Sequence, residues 1–175
     1  YIQDANWVVY TIAVKEDNPE IMAAKSKGLP IIERASLLGD IMSFYPYSIG
    51  VAGSHGKTTV TSMLSTMLIN ARLDPTILVG GEVDALKGNV RIGKSSYFLT
   101  EACEYNESFL EFEPYMAIIL NIDEDHLDYY KDMESIYKAF LAYSHKTPEK
   151  GLIIGCNDDP WVKKLMGKVY RRGIS

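Results

Sequence analysis

Short apolar segments alternate with amphipathic segments along the chain, a pattern that predicts strands and helices in turn. Residues 7–12 are rich in β-branched side chains and 31–32 are apolar, so both are predicted strands. Asn18-Pro19 marks a helix start, with a capping amide before a proline in the first turn. A second helix is predicted over 36–44. Four elements make only part of a parallel sheet, so we expect the front half of this unit to be absent.

The alternation resumes after Tyr-Pro-Tyr-Ser at 45–48, which we predict to be a linker because proline disfavours helix at the residue before it. Further strands are predicted over 49–52, 77–79, 97–100, 116–122 and 152–156, and helices over 57–71, over 133–143 and from 161. We expect the Met/Leu stripe of the first of these helices, including Met63 and Met67, to pack in the core. The alternation predicts an α/β fold with a parallel, doubly wound sheet and ligands at the carboxyl ends of its strands.

Composition and charge narrow the range of functions. The 175 residues are 47% hydrophobic and 23% charged, as in soluble globular proteins. The net charge of −5 argues against a nucleic-acid partner, because phosphate neutralisation drives that binding. No apolar segment approaches the roughly 18–20 residues of a membrane span, so no membrane partner is expected. Two cysteines far apart, Cys103 and Cys156, fit a reducing compartment, and we expect a cytoplasmic protein.

The strongest chemical signal is the segment GSHGKTT at 53–59, between a predicted strand and a helix. Glycines let backbone N–H groups turn toward an anion, and the helix N-terminus adds positive charge. A lysine there can bridge β- and γ-phosphates, and the next hydroxyl can bind Mg²⁺. The pattern G-x-x-x-x-G-K-[ST] fails by one position, at Val51. A glycine-rich turn that happens to contain lysine is the alternative. The predicted phosphate-binding residues are Gly53, Ser54, His55, Gly56, Lys57, Thr58 and Thr59.

Acidic residues follow two other predicted strands. Glu101 and Glu104 come directly after one, where a carboxylate beside a phosphate loop can hold Mg²⁺. The segment NIDEDHLD at 121–128 follows the other, and its His126 can bind a divalent metal while Asp125 orients the ring. Solvated loop acids and an incidental histidine are the alternatives. His55 faces either solvent or a ligand phosphate, and His145 is expected at the surface.

Three segments carry a resemblance to a known family: GVAGSHGKTT, TEACEYNESFL and NIDEDHLDYY, in this order. They resemble the Mur ligase family of peptidoglycan synthesis, and most closely its alanine-adding branch. The family's phosphate loop lacks the outer glycine, which accounts for Val51. Residues 8–34 are similar to the end of the family's UDP-sugar domain, and LDPTILVGGEV and IIGCNDDP also match. The resemblance covers nearly all of the chain.

This resemblance implies a three-domain enzyme that binds a UDP-sugar, ATP and an incoming amino acid. The chain would hold the C-terminal part of the UDP-sugar domain, 1–45, and the front of the central ATP domain, 46–175, without the third domain. The implied reaction joins L-alanine to the carboxylate of UDP-N-acetylmuramate through an acyl phosphate, with ATP and Mg²⁺. The fragment alone is expected to be inactive.

The same resemblance assigns roles to single residues. Lys57 would contact the β- and γ-phosphates and Asn121 the nucleotide. Thr58, Glu101 and His126 would bind metal ions. Lys57, Glu101 and His126 would together form the catalytic group.

Two departures from the family's pattern affect the interpretation. Cys103 stands where the family usually has Asp, which leaves the role of that position open. Sister ligases carry a carbamylated Lys about fifteen residues after the metal-binding His, and Phe-Leu-Ala at 140–142 has none, which favours the alanine-adding branch.

Two other functions remain open at this point. A recycling ligase that joins a ready-made peptide to the same UDP-sugar would share these motifs. A nucleotide-binding switch would use the loop to change shape, but the sequence contains no guanine-reading N-K-x-D segment.

Overall fold

The computed structural model describes residues 2–83, 86–169 and 172–174. A small first unit consists of two parallel strands and two helices: β1 (Val8–Tyr10), α1 (Pro19–Ser26), β2 (Ile31–Glu33) and α2 (Arg34–Ser43). Asn18 Oδ1 accepts hydrogen bonds from the backbone N–H groups of Glu20 (2.9 Å) and Ile21 (3.4 Å), so the predicted helix start is confirmed.

A larger unit follows, built on a second sheet. Its strands are β3 (Tyr47–Ala52), β4 (Thr76–Val83), β5 (Gly88–Arg91), β6 (Tyr97–Glu101), β7 (Met116–Ile119), β8 (Leu152–Gly155) and β9 (Arg172–Ile174). Their order across the sheet is β5-β4-β6-β3-β7-β8-β9, and every described pair is parallel except β4 with β5. The other elements are α3 (Lys57–Asn70), a 3₁₀ helix (Tyr105–Glu111), α4 (Met133–Lys146) and α5 (Pro160–Met166).

Two apolar cores lie on the two faces of this sheet. The larger is fully buried at Phe109, Phe140 and Tyr143, and the 3₁₀ helix, α4 and α5 contribute to it. The smaller contains Val51 and Leu99 and is covered by apolar side chains of α3. Helices on both faces of a mostly parallel sheet define a doubly wound α/β fold, as the sequence predicted. No helix in the described part of the chain is long and apolar enough to span a membrane.

Several predicted boundaries are wrong. The linker at 45–48 is shorter than predicted, because Tyr47 pairs with Tyr97 as the first residue of β3. The strand predicted over 116–122 ends at Ile119. β4 is longer than predicted, because it continues through its two glycines to Val83. It pairs with the antiparallel strand β5, which was not predicted.

The predicted core position of the methionines on α3 is also wrong. Met63 and Met67 are 61% and 63% exposed, whereas Leu64 and Leu68 pack against the smaller core. Neighbouring residues lie about 100° apart around a helix, so Met63 and Met67 point away from the direction of Leu64 and Leu68. The apolar stripe of α3 is therefore wider than the face that the sheet covers. His145 is exposed, as predicted.

An ion pair at the sheet edge ties β5 to the turn before β4. Arg91 Nη2 lies 2.6 Å from Asp74 Oδ1, and the backbone N–H of Lys94 donates to Asp74 Oδ2 at 2.9 Å. The side-chain hydrogen bond from Arg91, and then the N–H of Lys94, lower the pKa of Asp74 below its ordinary value of 3.8.

We expect Asp74→Asn to lower the urea midpoint of unfolding at pH 7. The pKa of Asp74 is lower in the folded state, so its stabilisation is present above pH 3.8 and is lost as the pH falls below that value. The difference from wild type should therefore shrink on acidification. Glu16→Gln is the matched control, because Glu16 is 94% exposed in its pair with Lys25. A difference that grew below pH 3.8 would contradict this account.

Candidate functional site

Three neighbouring strands bring the three predicted motifs to one edge of the sheet. β3 lies between β6 and β7, and all three are parallel. In register, Val51 pairs with Glu101 and Ala52 with Ile119. Because parallel strands end at the same edge, the segments that follow them meet there. The sequence prediction of a shared site at this edge is therefore consistent with the topology.

The loop at 53–56 joins β3 to α3 and needs two glycines. Gly53 has φ 148° and Gly56 has φ 83°, in the region that side-chain-bearing residues disfavour. A Cβ at Gly53 would also lie 2.9 Å from Leu120 Cβ. Gly56 is the N-cap of α3, so the positive end of a 14-residue helix faces the loop.

Asn121 fixes the shape of this loop from the end of β7. Its Oδ1 accepts from the His55 backbone N–H at 2.8 Å, and its Nδ2 donates to the His55 carbonyl at 3.0 Å. The buried Ser54 hydroxyl accepts from the Asp123 backbone N–H at 2.9 Å. Asn121, predicted as a nucleotide contact, thus has a structural role in the loop, and the exposed imidazole of His55 lies 3.7 Å from an Asp123 carboxylate oxygen.

Lys57 folds back over the loop. Its Nζ donates to the Gly53 carbonyl at 2.6 Å and lies 3.3 Å from the Ser54 carbonyl. It also contacts both carboxylate oxygens of Glu104, at 2.8 and 3.1 Å. The side chains of Lys57 and Glu104 are only 15% and 1% exposed, so this ion pair is shielded from solvent.

Glu104, Asp125 and His126 form a group of possible metal ligands. Each offers one ligand atom, and these atoms lie within 4.8 Å of one another. His126 Nε2 is 3.8 Å from Glu104 Oε1, and the His126 backbone N–H donates to Asp125 Oδ1 at 2.7 Å. His126 adopts φ 55°, a strained value for a side-chain-bearing residue.

The other predicted metal ligands lie nearby but in different surroundings. Glu101 Oε1 accepts a hydrogen bond from the Gly80 backbone N–H at 2.7 Å, which directs the carboxylate toward β4. A Cβ at Gly80 would lie 3.0 Å from Glu101 Oε2, so glycine allows this close approach. Thr58 and Thr59 are exposed in the first turn of α3.

Two tyrosines that the sequence analysis did not single out complete the site. The Tyr105 ring lies 4.8 Å from the His126 ring, and its hydroxyl donates to Asp128 at 3.2 Å. That hydrogen bond raises the pKa of Tyr105. The buried Tyr130 hydroxyl donates to the Glu104 carbonyl at 2.6 Å, and burial raises its pKa. Tyr105 lies in the segment TEACEYNESFL and Tyr130 in NIDEDHLDYY, so their places in these motifs could have indicated a role.

Cys103 also lines the site. The residue as a whole is exposed, but desolvation around the sulfur raises the pKa of the thiol. The thiol is therefore neutral at pH 7 and a weak nucleophile.

A cleft of about 440 Å³ opens beside these residues. Lys57, Gly80, Glu101 and Tyr105 line it on the side of the larger unit. The first unit contributes segments 11–13 and 33–35 to the opposite wall. Lys57, the residue that follows the loop, therefore faces a space that both units line.

A glycine loop on a helix N-terminus, with a lysine folded back over it and acids at neighbouring strand ends, defines a phosphate-loop α/β protein. Comparison with known families gives a narrower assignment. The family model described as "Mur ligase middle domain" matches residues 51–175, and the one described as "Mur ligase family, catalytic domain" matches 1–46. The chain belongs to the Mur ligase family.

Similar proteins agree with this assignment. The chain is 55% identical over 169 residues to a UDP-N-acetylmuramate–L-alanine ligase of Acetivibrio thermocellus, covering 97% of the chain and 36% of that protein. It resembles the crystal structure of UDP-N-acetylmuramate-alanine ligase from Thermotoga maritima, with TM-score 0.83 and 33% identity, covering 98% of the chain and 39% of that one.

A third similar protein has a peptide, not alanine, in its name. The crystal structure of UDP-N-acetylmuramate:L-alanyl-gamma-D-glutamyl-meso-diaminopimelate ligase from Neisseria meningitides has TM-score 0.82 and 26% identity, covering 94% of the chain and 57% of that one. The chain spans little more than a third of the length of the curated relatives it matches.

Proposed function

We propose that the full-length protein is an ATP-dependent ligase that joins L-alanine to the carboxylate of UDP-N-acetylmuramate in the cytoplasm, for peptidoglycan synthesis. The loop at 53–56, with Lys57 over it and the cleft beside it, is the observation that carries this proposal. The 55% identity to a ligase of that name supports the choice of substrates.

The domain assignment belongs to the same proposal. Residues 1–45 would be the end of the UDP-sugar domain and 46–175 the front of the ATP domain. Two separate sheets and two separate family matches, to 1–46 and 51–175, support this division. The cleft between the units would then receive the muramyl carboxylate near the γ-phosphate.

The reaction would have two steps. A carboxylate oxygen attacks the γ-phosphorus and ADP leaves, which gives an acyl phosphate. The amine of L-alanine then attacks the acyl carbon, loses a proton, and inorganic phosphate leaves. Lys57 would neutralise charge on the β- and γ-phosphates, because a carboxylate and a triphosphate repel each other. The loop N–H groups and the start of α3 would hold the phosphates in place.

The donor set at this edge fits a divalent cation. Carboxylate oxygens of Glu104 and Asp125 and an imidazole nitrogen of His126 lie close together, and Glu101 and the Thr58 hydroxyl lie on neighbouring segments. Thr58, Glu101 and His126 would each contribute to binding Mg²⁺ ions, and of these three His126 alone belongs to the close group. When bound, Mg²⁺ would lower the repulsion between the carboxylate and the phosphates.

Phosphate release by the full-length protein tests the function. We expect release from ATP only when UDP-N-acetylmuramate and L-alanine are present together, because the acyl phosphate needs both the carboxylate and an amine to turn over. Release that needed neither substrate would contradict the proposal and favour a nucleotide-binding switch.

A second candidate is a ligase for a ready-made peptide, favoured by the structural likeness to the Neisseria protein. The same assay separates the two functions. L-Alanine and L-alanyl-γ-D-glutamyl-meso-diaminopimelate are supplied in turn as the amine. Turnover with the peptide but not with L-alanine, both in the presence of UDP-N-acetylmuramate, would overturn the alanine assignment.

A further inference from the structure

Glu104 is a fixed carboxylate at the centre of the site. Its side chain is 1% exposed. Its carbonyl accepts hydrogen bonds from the Tyr130 hydroxyl at 2.6 Å and the Glu107 backbone N–H at 2.9 Å. Phe109, fully buried, anchors the same segment through its N–H to the Cys103 carbonyl. The backbone of Glu104 is therefore held in place, and its carboxylate is buried, so its charge must be balanced by neighbouring groups.

The groups next to this carboxylate come from two other segments. Lys57 Nζ lies 2.8 and 3.1 Å from its two oxygens, and His126 Nε2 lies 3.8 Å from Oε1. Lys57 follows β3 and His126 follows β7, whereas Glu104 follows β6. One carboxylate thus links the segments that follow three adjacent strands.

This contact also determines where the Lys57 charge points. The ammonium group has three donors, and it has four acceptor atoms within 3.3 Å: two from Glu104 and the carbonyls of Gly53 and Ser54. A phosphate that reaches the loop must compete with Glu104 for this cation.

We propose that Glu104 is a positioning residue, whose carboxylate places both Lys57 and His126 and competes with nucleotide phosphates for Lys57. The inference rests on the proposed function, because it assigns a second ligand to Lys57. The proposal predicts opposite effects on phosphate binding and on turnover when Glu104 is replaced. Without the charge of Glu104, phosphates bind more tightly in the absence of metal. Without its hydrogen bonds to Lys57 and its close contact with His126, both side chains lose their placement and turnover slows. A merely structural role would weaken both binding and turnover.

The test compares variants of the full-length protein. ADP binding is measured by calorimetry in EDTA, and kcat by phosphate release with both substrates. For Glu104→Gln we expect ADP to bind about fivefold to tenfold more tightly, since Lys57 loses its competing anion. We expect kcat to fall about 100-fold, as for a misplaced catalytic group. Glu107→Gln, an exposed acid three residues along, is the matched control and should change both values less than twofold.

Glu104→Asp provides a second arm that keeps the charge and shortens the side chain. It should bind ADP as the wild type does and still turn over about tenfold more slowly, because misplacement alone costs rate. If Glu104→Gln does not fold, this arm still tests whether Glu104 places Lys57 and His126. Unchanged or weaker ADP binding by Glu104→Gln, or a kcat of either variant within twofold of wild type, would overturn the inference. A wild-type protein that bound no ADP even with Mg²⁺ present would instead overturn the proposed function.

Discussion

Replacing Lys57 with Ala is expected to abolish turnover, with a loss of at least ~10³-fold in phosphate release, because the site loses its cation at the phosphates. It should also destabilise the fold. Removing one partner of a shielded ion pair leaves the other uncompensated, at a cost of about 3–5 kcal/mol. Lys57 keeps 15% exposure, so we expect the lower end of that range. Steady-state assays and urea unfolding of the full-length protein measure the two effects.

The double variant Lys57→Met/Glu104→Gln separates stability from chemistry. It removes both charges at once, so most of the lost stability should return. Turnover should stay absent, because no cation reaches the phosphates. If Lys57→Ala kept wild-type turnover, the assignment of the phosphate loop would be wrong.

Phe109→Ala should cost about 3–5 kcal/mol of unfolding free energy. Phe109 is fully buried, stacks on Tyr143 with ring centroids 4.7 Å apart, and meets Phe140 edge-on at 5.2 Å. Its removal would leave a cavity between the 3₁₀ helix and α4. The same helix carries Tyr105, so turnover should fall as well. Urea unfolding and phosphate release give the two values.

Phe44→Ala is the matched control for this deletion. Phe44 has the same side chain and is 81% exposed, so its removal should change the free energy of unfolding by less than about 0.5 kcal/mol. Equal losses in the two variants would show that the stacked rings do not hold the 3₁₀ helix in place.

The sequence predicted elements well wherever local signals were strong. Asn18 before Pro19 marked a helix start, and the glycines at 53 and 56 marked the turn into α3. The prediction from sequence failed where tertiary contacts determine whether a residue is buried or paired. Periodicity could not show that Met63 lies beyond the face that the sheet covers, because that depends on the width of the sheet. Nor could it reveal β5, which pairs with β4 and brings Arg91 to Asp74.

The sequence could predict which strand ends meet at the site, but not which side chains contact each other there. Parallel order placed Lys57, Glu101 and His126 at one edge. The partner of Lys57 could not be predicted, because Glu101 and Glu104 differ by three positions in the same motif. The backbone after β6 decides between them, since it turns Glu104 inward to Lys57 and leaves Glu101 against Gly80. Asn106 and Glu107, both with positive φ, form the next turn of that backbone.

The two-way hydrogen bonding between Asn121 and His55 has a thermodynamic consequence. The loop at 53–56 acquires its shape from the end of β7, so its conformational entropy is lost when the chain folds and not when a ligand arrives. Binding to such a preorganised cradle is opposed mainly by desolvation and by the loss of the ligand's own freedom. Small anions such as pyrophosphate could then be retained with little rearrangement of the main chain.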